Sequence, residues 1–596
     1  MHPNTDKKFP ARKLFPFLTW FEEFSLSTFQ SDALAGLTVA VVLIPQAMAY
    51  AMLAGVPPVY GLYAAAVTPF VGALWGSLRQ LATGPIAIMS LLVFTTLSPL
   101  AAPGSPEFTE LAFLLAFMVG VLYMGIGLFR LGEAMAFISH SAVRGFTAGA
   151  AIIIISTQIP HFMGLTLSRH EYLFSMAWEI LTKLPELHLP TLGTGIAAYI
   201  IIDGLKRYRP HFPSGLVALI LTSGAIIMFR PYLNDVAVVG KIPGGLPGLH
   251  IPAFDFGTIS SLSGSAMVMA LVSFAETYSV SKAISSETGQ KTDVNQEFVG
   301  QGLANLVGSF FQSYPVSGSF SRSAVNYSAG GKTGVSSVIS SMIVALSLLF
   351  FTPLFAYIPK AALAALVINA VLKLFHPKEV FALWKMNRDD GIVAISVFVL
   401  AVLTKPDYAL LIGVIISLIF FLWRTMHPRI VRMTKDPKFN MFVNADLHNV
   451  PGCPQILHLR SDNIIFFANA EYTIEHMFEY IDKQETPLKF LLLDFQAIGF
   501  IDITATDELR VLRDELKERG IRLAFTDVHL PVKEVLKKSG FLDEPDSGPV
   551  FENKAKAVYL IFEQIDRDYC KNICPHCLFY ECSNIKKILS VGKSVT

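Results

Sequence analysis

The sequence is short of charge. Of 596 residues only 16% are Asp, Glu, Lys or Arg, against about 25% in soluble globular domains. Neither sign is in excess: 47 basic and 46 acidic residues leave a formal net charge of +1. That balance carries no electrostatic footprint for nucleic acid as a partner. Cysteine is scarce, with five in the chain, which excludes a disulfide scaffold, and a hydrophobic content of 53% excludes disorder and collagen. The shortage of charge is also uneven. Residues 1–430 hold 47 of the 93 charged residues, 11% of that stretch, whereas residues 431–596 hold 46, or 28%. A long apolar part is therefore joined to an ordinary soluble part of domain size, and a single soluble domain is excluded.

What fills the apolar part is uncharged runs. A helix needs about 20 apolar residues to cross a hydrocarbon core of about 30 Å. The 46 residues between Asp32 and Arg79 carry no charge, enough for two spans with a turn at Val56-Pro57-Pro58. Further uncharged runs are Leu111–Phe129, Gly145–Ser168, Pro210–Phe229 and Thr333–Pro359, with shorter ones at Gly391–Thr404 and Tyr408–Trp423. Hydropathy predicts 10 to 14 spans, about 14 when the short ones are counted. Arg12, Lys13, Arg79, Arg130, Arg144, Lys206, Arg207, Arg209, Lys378, Lys385, Arg388, Arg424, Arg429 and Arg432 all fall on one side if both termini are cytoplasmic. The N-terminus does not read as a secretory signal, and Phe15–Phe29 reads as an amphipathic stretch at the membrane surface. The expected organisation is an N-terminal segment 1–31, a transmembrane domain 32–426, a soluble domain 427–562 and a tail 563–596.

Two segments break the helical pattern inside apolar surroundings. In Ala82-Thr83-Gly84-Pro85-Ile86-Ala87, Gly then Pro predicts a helix beginning at Pro85. In Ser317-Gly318-Ser319-Phe320-Ser321-Arg322-Ser323 the small hydroxyl residues are good helix N-caps. Two helices starting in mid-membrane turn their free N–H groups and positive dipole ends toward a shared cavity. Irregular backbone at that depth is tolerated only where protein or water covers it. Short interrupted segments in corresponding halves mark a transporter site between inverted repeats. Arg322 adds a fixed positive charge suited to an anion; the alternative is an Arg in a cytoplasmic loop. Glu276 stands alone between Asp255 and Lys282. It is either a carboxylate snorkelling to the interface or a buried site for a proton or cation. Gln46, beside Pro45, either binds substrate or hydrogen-bonds between helices.

The run Ile44-Pro45-Gln46-Ala47-Met48-Ala49-Tyr50-Ala51, then Gly55-Val56-Pro57-Pro58-Val59-Tyr60-Gly61-Leu62-Tyr63 and Thr83-Gly84-Pro85, resembles the sulfate permease (SulP) family. So do Asn295-Gln296-Glu297, Gly300, Gly302, Asn305 and Ser319-Phe320-Ser321-Arg322-Ser323. The resemblance extends to about residue 562. It implies an α-helical polytopic protein of 14 segments in two inverted repeats of seven, divided into core and gate domains and forming a homodimer in the cytoplasmic membrane. It places a small inorganic anion between the third and tenth segments, with Gln46, Tyr50, Pro85, Ile86, Ser319, Phe320, Ser321 and Arg322 as substrate-binding positions. Glu276 matches the acidic position of the eighth segment. Sodium-coupled bicarbonate members carry Asp there with Thr four residues later; Glu276 and Val280 depart from that pattern and point to protons or exchange.

The soluble part alternates strand and helix after Phe439. Strands are expected at Pro454–Leu459, Ile464–Phe467, Lys489–Asp494 and Ile521–Phe525, with helices at Glu471–Asp482, Thr504–Arg519 and Pro531–Ser539. This resembles a STAS domain, the cytoplasmic α/β module of the same family. In the related anti-sigma factor antagonists a phosphorylated Ser follows an Asp, which puts Thr504 of Asp502-Ile503-Thr504 at that position; the plain alternative is a helix cap. In the tail, Cys570, Cys574, Cys577 and Cys582 fall within 13 residues. Cytosolic cysteines at this density read as a structural zinc or iron–sulfur site or as free thiols. No other cofactor is implied.

No ATPase engine is present. Gly331-Lys332-Thr333 and Gly592-Lys593-Ser594 lack the earlier Gly of a P-loop, with Asn326 and Lys587 in its place. The expectation is a secondary active transporter, not an enzyme. It moves sulfate by alternating access and is proton-coupled or exchanging. Bicarbonate, a C4-dicarboxylate, an anion channel of the same fold and a membrane-tethered scaffold are the alternatives.

Overall fold

A computed structural model describes residues 15–582 apart from 23–24, 133–138, 169–172, 210–211, 230–232, 234, 374, 376, 405, 437–440, 486–487 and 577. Arg12 and Lys13 lie outside the described residues. The chain divides into two compact units, Met1–Leu418 and Ile419–Thr596.

The first unit is helical. Its first half contains α1 (Leu26–Leu53), α2 (Pro58–Trp75), a three-residue strand β1 (Ala82–Gly84), α3 (Ala87–Leu97), α4 (Pro106–Leu128), α5 (His140–Met163), α6 (Leu173–Thr182), α7 (Leu189–Tyr208) and α8 (Ser214–Met228). Its second half contains α9 (Phe256–Thr288), α10 (Val294–Phe310), β2 (Ser317–Ser319), α11 (Phe320–Ser328), α12 (Val335–Phe350), α13 (Lys360–Val371), α14 (Pro377–Met386), α15 (Arg388–Leu403) and α16 (Pro406–Met426). Among the described residues six helices are long and apolar enough to cross a membrane: α1, α2, α4, α5, α9 and the Tyr408–Met426 part of α16. The turn between α1 and α2 falls at the Pro pair, with Pro58 at the first position of α2, where a missing N–H costs nothing. Ahead of α1, residues Pro16–Glu22 form a short 3-10 helix, so the amphipathic stretch is not one continuous helix.

Halves of the chain interleave. α1, α2 and α4 pack with α10 and α12, whereas α5 and α7 pack with α13 and α15. Small residues permit the closest approach: a Cβ on Gly300 of α10 would lie 2.6 Å from the backbone N of Gly76, at the end of α2.

The second unit begins with the last two turns of α16, whose Thr425 carbonyl accepts a hydrogen bond from Asn469 Nδ2 at 3.1 Å. Six strands follow in the order β4-β3-β5-β6-β7-β8. They are β3 (Ile430–Asp436), β4 (Met441–Asn444), β5 (Ile456–Ser461), β6 (Phe490–Asp494), β7 (Arg522–Thr526) and β8 (Val550–Phe551). β5 to β8 are parallel and β3 is antiparallel to both neighbours. The helices are α17 (Ala470–Asp482), α18 (Ile503–Glu518), α19 (Leu530–Lys538), α20 (Lys554–Phe562) and α21 (Arg567–Asn572).

Alternation along the strands splits the core into two layers, as the period of two requires. Leu457, Leu459, Leu491, Leu493, Leu523 and Phe525 pack with α17, α18 and α19. Ile456, Phe490, Leu492 and Ala524 pack with α20 and the tail, including Cys570, Leu578 and Phe579. The sequence reading needs two corrections here. The α/β unit starts at Ile430, not after Phe439, and Ile464–Phe467 is no strand, having one isolated bridge, Ile465 to Ile501.

Candidate functional site

β1 and β2 pair antiparallel, Ala82 with Ser319, Thr83 with Gly318 and Gly84 with Ser317. Each strand runs into a short helix, α3 of 11 residues and α11 of nine. At 1.5 Å per residue, α3 is about 16 Å long, roughly half a hydrocarbon core. The two broken segments therefore meet each other through backbone pairing at the ends of two half-helices. The expected start of α3 at Pro85 is corrected to Ala87, because residues 82–84 are drawn into the strand pair and Ile86 occupies the N-cap in an extended conformation. No side chain caps α3. α11 is capped by Ser319, whose Oγ accepts from Arg322 N at 3.4 Å.

Arg322 is the third residue of α11 and is 1% exposed, a buried helical position and not a loop. Its Nη1 donates to the Pro85 carbonyl at 2.7 Å and to Gln46 Oε1 at 3.4 Å. Its Nε and Nη2 are buried and have no hydrogen-bond partner. Burying a guanidinium is costly unless its donors are satisfied, so two open donors mark a place for an acceptor. Gly84 stands against this head group: a Cβ there would be 3.3 Å from Nη2, and its φ of +151° is one that side chains rarely adopt. Gln46 is half-buried on α1, and Tyr50, one turn on, is buried. Pro85, Ile86 and Ser319 are buried, whereas Phe320 is 59% exposed and Ser321 is also exposed. The structure thus joins Gln46, Pro85, Ser319 and Arg322 by direct bonds; Phe320 and Ser321 stand at the open side of the same helix start.

Glu276 lies on α9 with its Oε2 buried and unpartnered. Tyr50, Tyr314 and Glu276 all act electrostatically on Arg322. Glu276 Oε2 and Arg322 Nε and Nη2 are each buried without a hydrogen-bond partner. Val280 is buried against Leu78, Leu81 and Ile284 and is part of an apolar cluster, with no oxygen to offer.

Behind the strand pair lies a polar spine that the sequence reading missed. Asn305 Nδ2 donates to the Val316 carbonyl at 3.0 Å, and Asn305 Oδ1 accepts from Val316 N at 2.9 Å. Gln301 Nε2 donates to Thr277 Oγ1 at 2.8 Å, and the Ser273 and Ser317 hydroxyls bond each other. The signal was available: Glu297, Gln301 and Asn305 recur every four residues on α10, and Ser273 and Thr277 do so on α9. Such spacing puts them on one helix face.

With this geometry in view, comparison with known proteins is decisive. The sulfate permease family pattern matches residues 29–397, and the STAS domain pattern matches residues 446–557. The chain belongs to the sulfate permease family. The family is one of transporters, and the fold is that of a helical membrane transporter with a C-terminal STAS domain. Among its relatives, Sulfate transporter 4.1, chloroplastic, of Arabidopsis thaliana is 34% identical over 552 residues, covering 89% of this chain and 80% of the relative. Sulfate transporter 1.1 of the same plant is 31% identical over 582 residues, covering 92% and 89%. Murine Solute Carrier 26 family member A9, solved in an inward-facing state, superposes with a TM-score of 0.85 at 21% identity, covering 94% of this chain and 96% of that one. The transmembrane domain of the cyanobacterial bicarbonate transporter BicA gives a TM-score of 0.58 at 25% identity, covering 66% and 98%.

In the STAS domain of this family member, Thr504 is exposed at the second position of α18. Asp502 is the cap: Oδ1 accepts from Ala505 N and Oδ2 from Phe467 N, both at 2.8 Å. One turn on, partial burial and then Glu471, Asp507 and Glu475 raise the carboxyl of Glu508. A phosphate on Thr504 would face that acidic neighbourhood. In the tail, Cys570 is buried, and Gln455 Nε2 lies 3.2 Å from its Sγ. Gln455 also bonds Asp566 N and O at 2.9 Å each. Burial pushes the Cys570 thiol up to about 11 and the Cys453 thiol up to about 12. Cys574 Sγ donates to the His576 carbonyl at 3.5 Å, and Cys582 packs on the same apolar layer. Among the described residues no group of three or more His, Cys, Asp or Glu is arranged to hold a metal; Cys577 lies outside them.

Proposed function

We propose that this chain is a secondary active transporter of sulfate, moving the dianion by alternating access past Arg322. One observation carries the reading: a fully buried guanidinium with two open donors, Nε and Nη2, at the meeting point of two half-helix N-termini. Charge and dipoles of one sign at one point stabilise an anion that has left water. Gln46, Tyr50 and Ser319 line it with polar groups, and Pro85, Ile86, Phe320 and Ser321 complete its wall. The relatives' names as sulfate transporters support the choice of anion.

Glu276 is the coupling residue in this reading. An unpaired carboxylate within the electrostatic reach of Arg322 takes up a proton as the dianion binds and releases it afterwards. Val280, apolar where a sodium site would place an oxygen, supports protons over sodium. The working organisation is a membrane domain 32–426, built as core and gate from inverted repeats, then a cytoplasmic STAS domain 427–562 and a tail 563–596. It is a homodimer in the cytoplasmic membrane with both termini inside. It is not an enzyme and needs no cofactor, and a metal in the tail would be structural. Uptake of labelled sulfate by proteoliposomes, competed by bicarbonate, C4-dicarboxylates, chloride and selenate, tests it. Saturable uptake driven by an inward proton gradient and blocked by selenate is expected. Uptake that needs sodium, or that prefers bicarbonate, would overturn the assignment.

A further inference from the structure

Each half-helix has a far attachment, and both attachments are buried carboxylates. Glu297 of α10 is 1% exposed. Its Oε2 accepts from Ser77 N at 2.9 Å, Leu78 N at 2.8 Å and Ser77 Oγ at 3.2 Å. Asp32 of α1 is also 1% exposed. Its Oδ1 accepts from Lys332 N at 2.7 Å and Thr333 N at 3.1 Å, and its Oδ2 from Thr333 Oγ1 at 2.6 Å. Ser77 and Leu78 precede β1, with Arg79, Gln80 and Leu81 between, and Lys332 and Thr333 follow α11, with Ala329, Gly330 and Gly331 between. Gln296 Nε2 serves the same joint by donating to the Trp75 carbonyl at 2.8 Å, whereas Asn295 Oδ1 accepts from Gly132 N at 2.9 Å, beyond the end of α4.

The two clamped loops are also tied to each other. Gln80 Nε2 donates to the Gly331 carbonyl at 3.2 Å, Asn326 Nδ2 to the Gln80 carbonyl at 3.2 Å, and Ala82 N to Ser323 Oγ at 2.9 Å. All three ties lie at the Ala82–Ser319 end of the strand pair, within and just beyond α11. A pair of three-residue strands has little stability of its own. Its register, and with it the 2.7 Å contact between Pro85 and Arg322, depends on what holds its ends. A buried carboxylate is costly, and here each is supplied with three donors, two of them backbone N–H groups.

We infer that Glu297 and Asp32 are positioning residues for the anion site, each fixing one half-helix so that Arg322 and the start of α3 converge on one substrate. The inference rests on the site proposed above. Neither carboxylate touches the anion; each acts through the backbone of the segment it clamps.

The test is sulfate uptake kinetics and unfolding temperature for the full-length Ser77→Ala, Glu297→Gln, Glu297→Ala and Asp32→Asn variants in proteoliposomes. Ser77→Ala removes the hydroxyl that reaches both Glu297 Oε2 and the Asp293 carbonyl; Glu297→Gln keeps shape and an acceptor but loses the charge. The half-saturation concentration is expected to rise in the order Ser77→Ala, Glu297→Gln, Glu297→Ala. For Glu297→Gln and Asp32→Asn the rise is about tenfold, the effect of weakening a charge-assisted hydrogen bond, with the maximal rate little changed. A merely structural role would lower the amount of active protein, and so the maximal rate, at an unaltered half-saturation value; that result overturns the inference. If Glu297→Ala does not fold, the other three variants still decide. Wild-type protein that takes up no sulfate would overturn the functional reading itself, whereas wild-type uptake with unshifted variants overturns the positioning role alone.

Discussion

At the residue scale, the proposed transport chemistry rests on Arg322 and Glu276. Arg322→Ala removes the buried charge and is expected to weaken sulfate binding by ~2–5 kcal/mol while the protein stays folded. Glu276→Gln holds position 276 uncharged, as the protonated carboxyl is, so exchange of labelled for unlabelled sulfate should persist while uphill uptake driven by a proton gradient disappears. Equal pH-driven accumulation in the Gln variant would show that the coupling proton sits elsewhere. In the STAS domain His458 is buried, 3.6 Å from Asp494, whose Oδ2 also meets Lys554 at 3.1 Å. Burial holds the imidazole below its ordinary value, partly opposed by Asp494. The folded domain therefore keeps His458 neutral where the unfolded chain takes up a proton, below about pH 6.5. Its contribution is fully present above that pH and is lost as pH falls. Hydrogen-exchange protection of β5 and β6 in the full-length protein should decline between pH 7.5 and 5.5, and His458→Phe should flatten that decline.

At the scale of elements, the site depends on a strand pair that permits no side chain at one position. Gly84→Ala places a Cβ 3.3 Å from Arg322 Nη2 at φ +151°, so it should raise the half-saturation concentration for sulfate severalfold without lowering expression. Wild-type affinity in this variant would mean that the β1 backbone does not define the site. Much of this region was legible in the sequence. Gly84-Pro85 and the Ser-rich run before Arg322 marked interrupted helices, and uncharged flanks put them in the membrane. The β1–β2 pairing was not legible, because three-residue strands of Ala, Thr, Gly and Ser carry no hydrophobic alternation and form only where a distant segment meets them. The same limit explains why Ile464–Phe467 looked like a strand: an apolar run of four fits the pattern, but its one partner is an isolated bridge to Ile501. Glu297 was visible as part of a motif. Its role was not, since its donors, Ser77 N and Leu78 N, lie some 220 residues away.

At the scale of the whole molecule, charge density changes near residue 430, and the two compact units divide between Leu418 and Ile419, inside α16. The four tail cysteines read either as a structural zinc or iron–sulfur site or as free thiols. In the structure residues up to Cys582 cover one face of the STAS sheet, fastened by Gln455 and by apolar burial. Gln455→Leu should therefore expose the tail, seen as faster alkylation of Cys570 in the intact protein, and unchanged alkylation would contradict this packing. The central claim is that sulfate is held by the open donors of Arg322 between two half-helices. Equilibrium binding of labelled sulfate to purified full-length protein in lipid nanodiscs, wild type beside Arg322→Ala and Arg322→Lys, tests it most directly. The prediction is saturable, selenate-displaceable binding to the wild type, weaker binding to the Lys variant and none measurable in the Ala variant at matched unfolding temperature. Wild-type affinity in Arg322→Ala would contradict it.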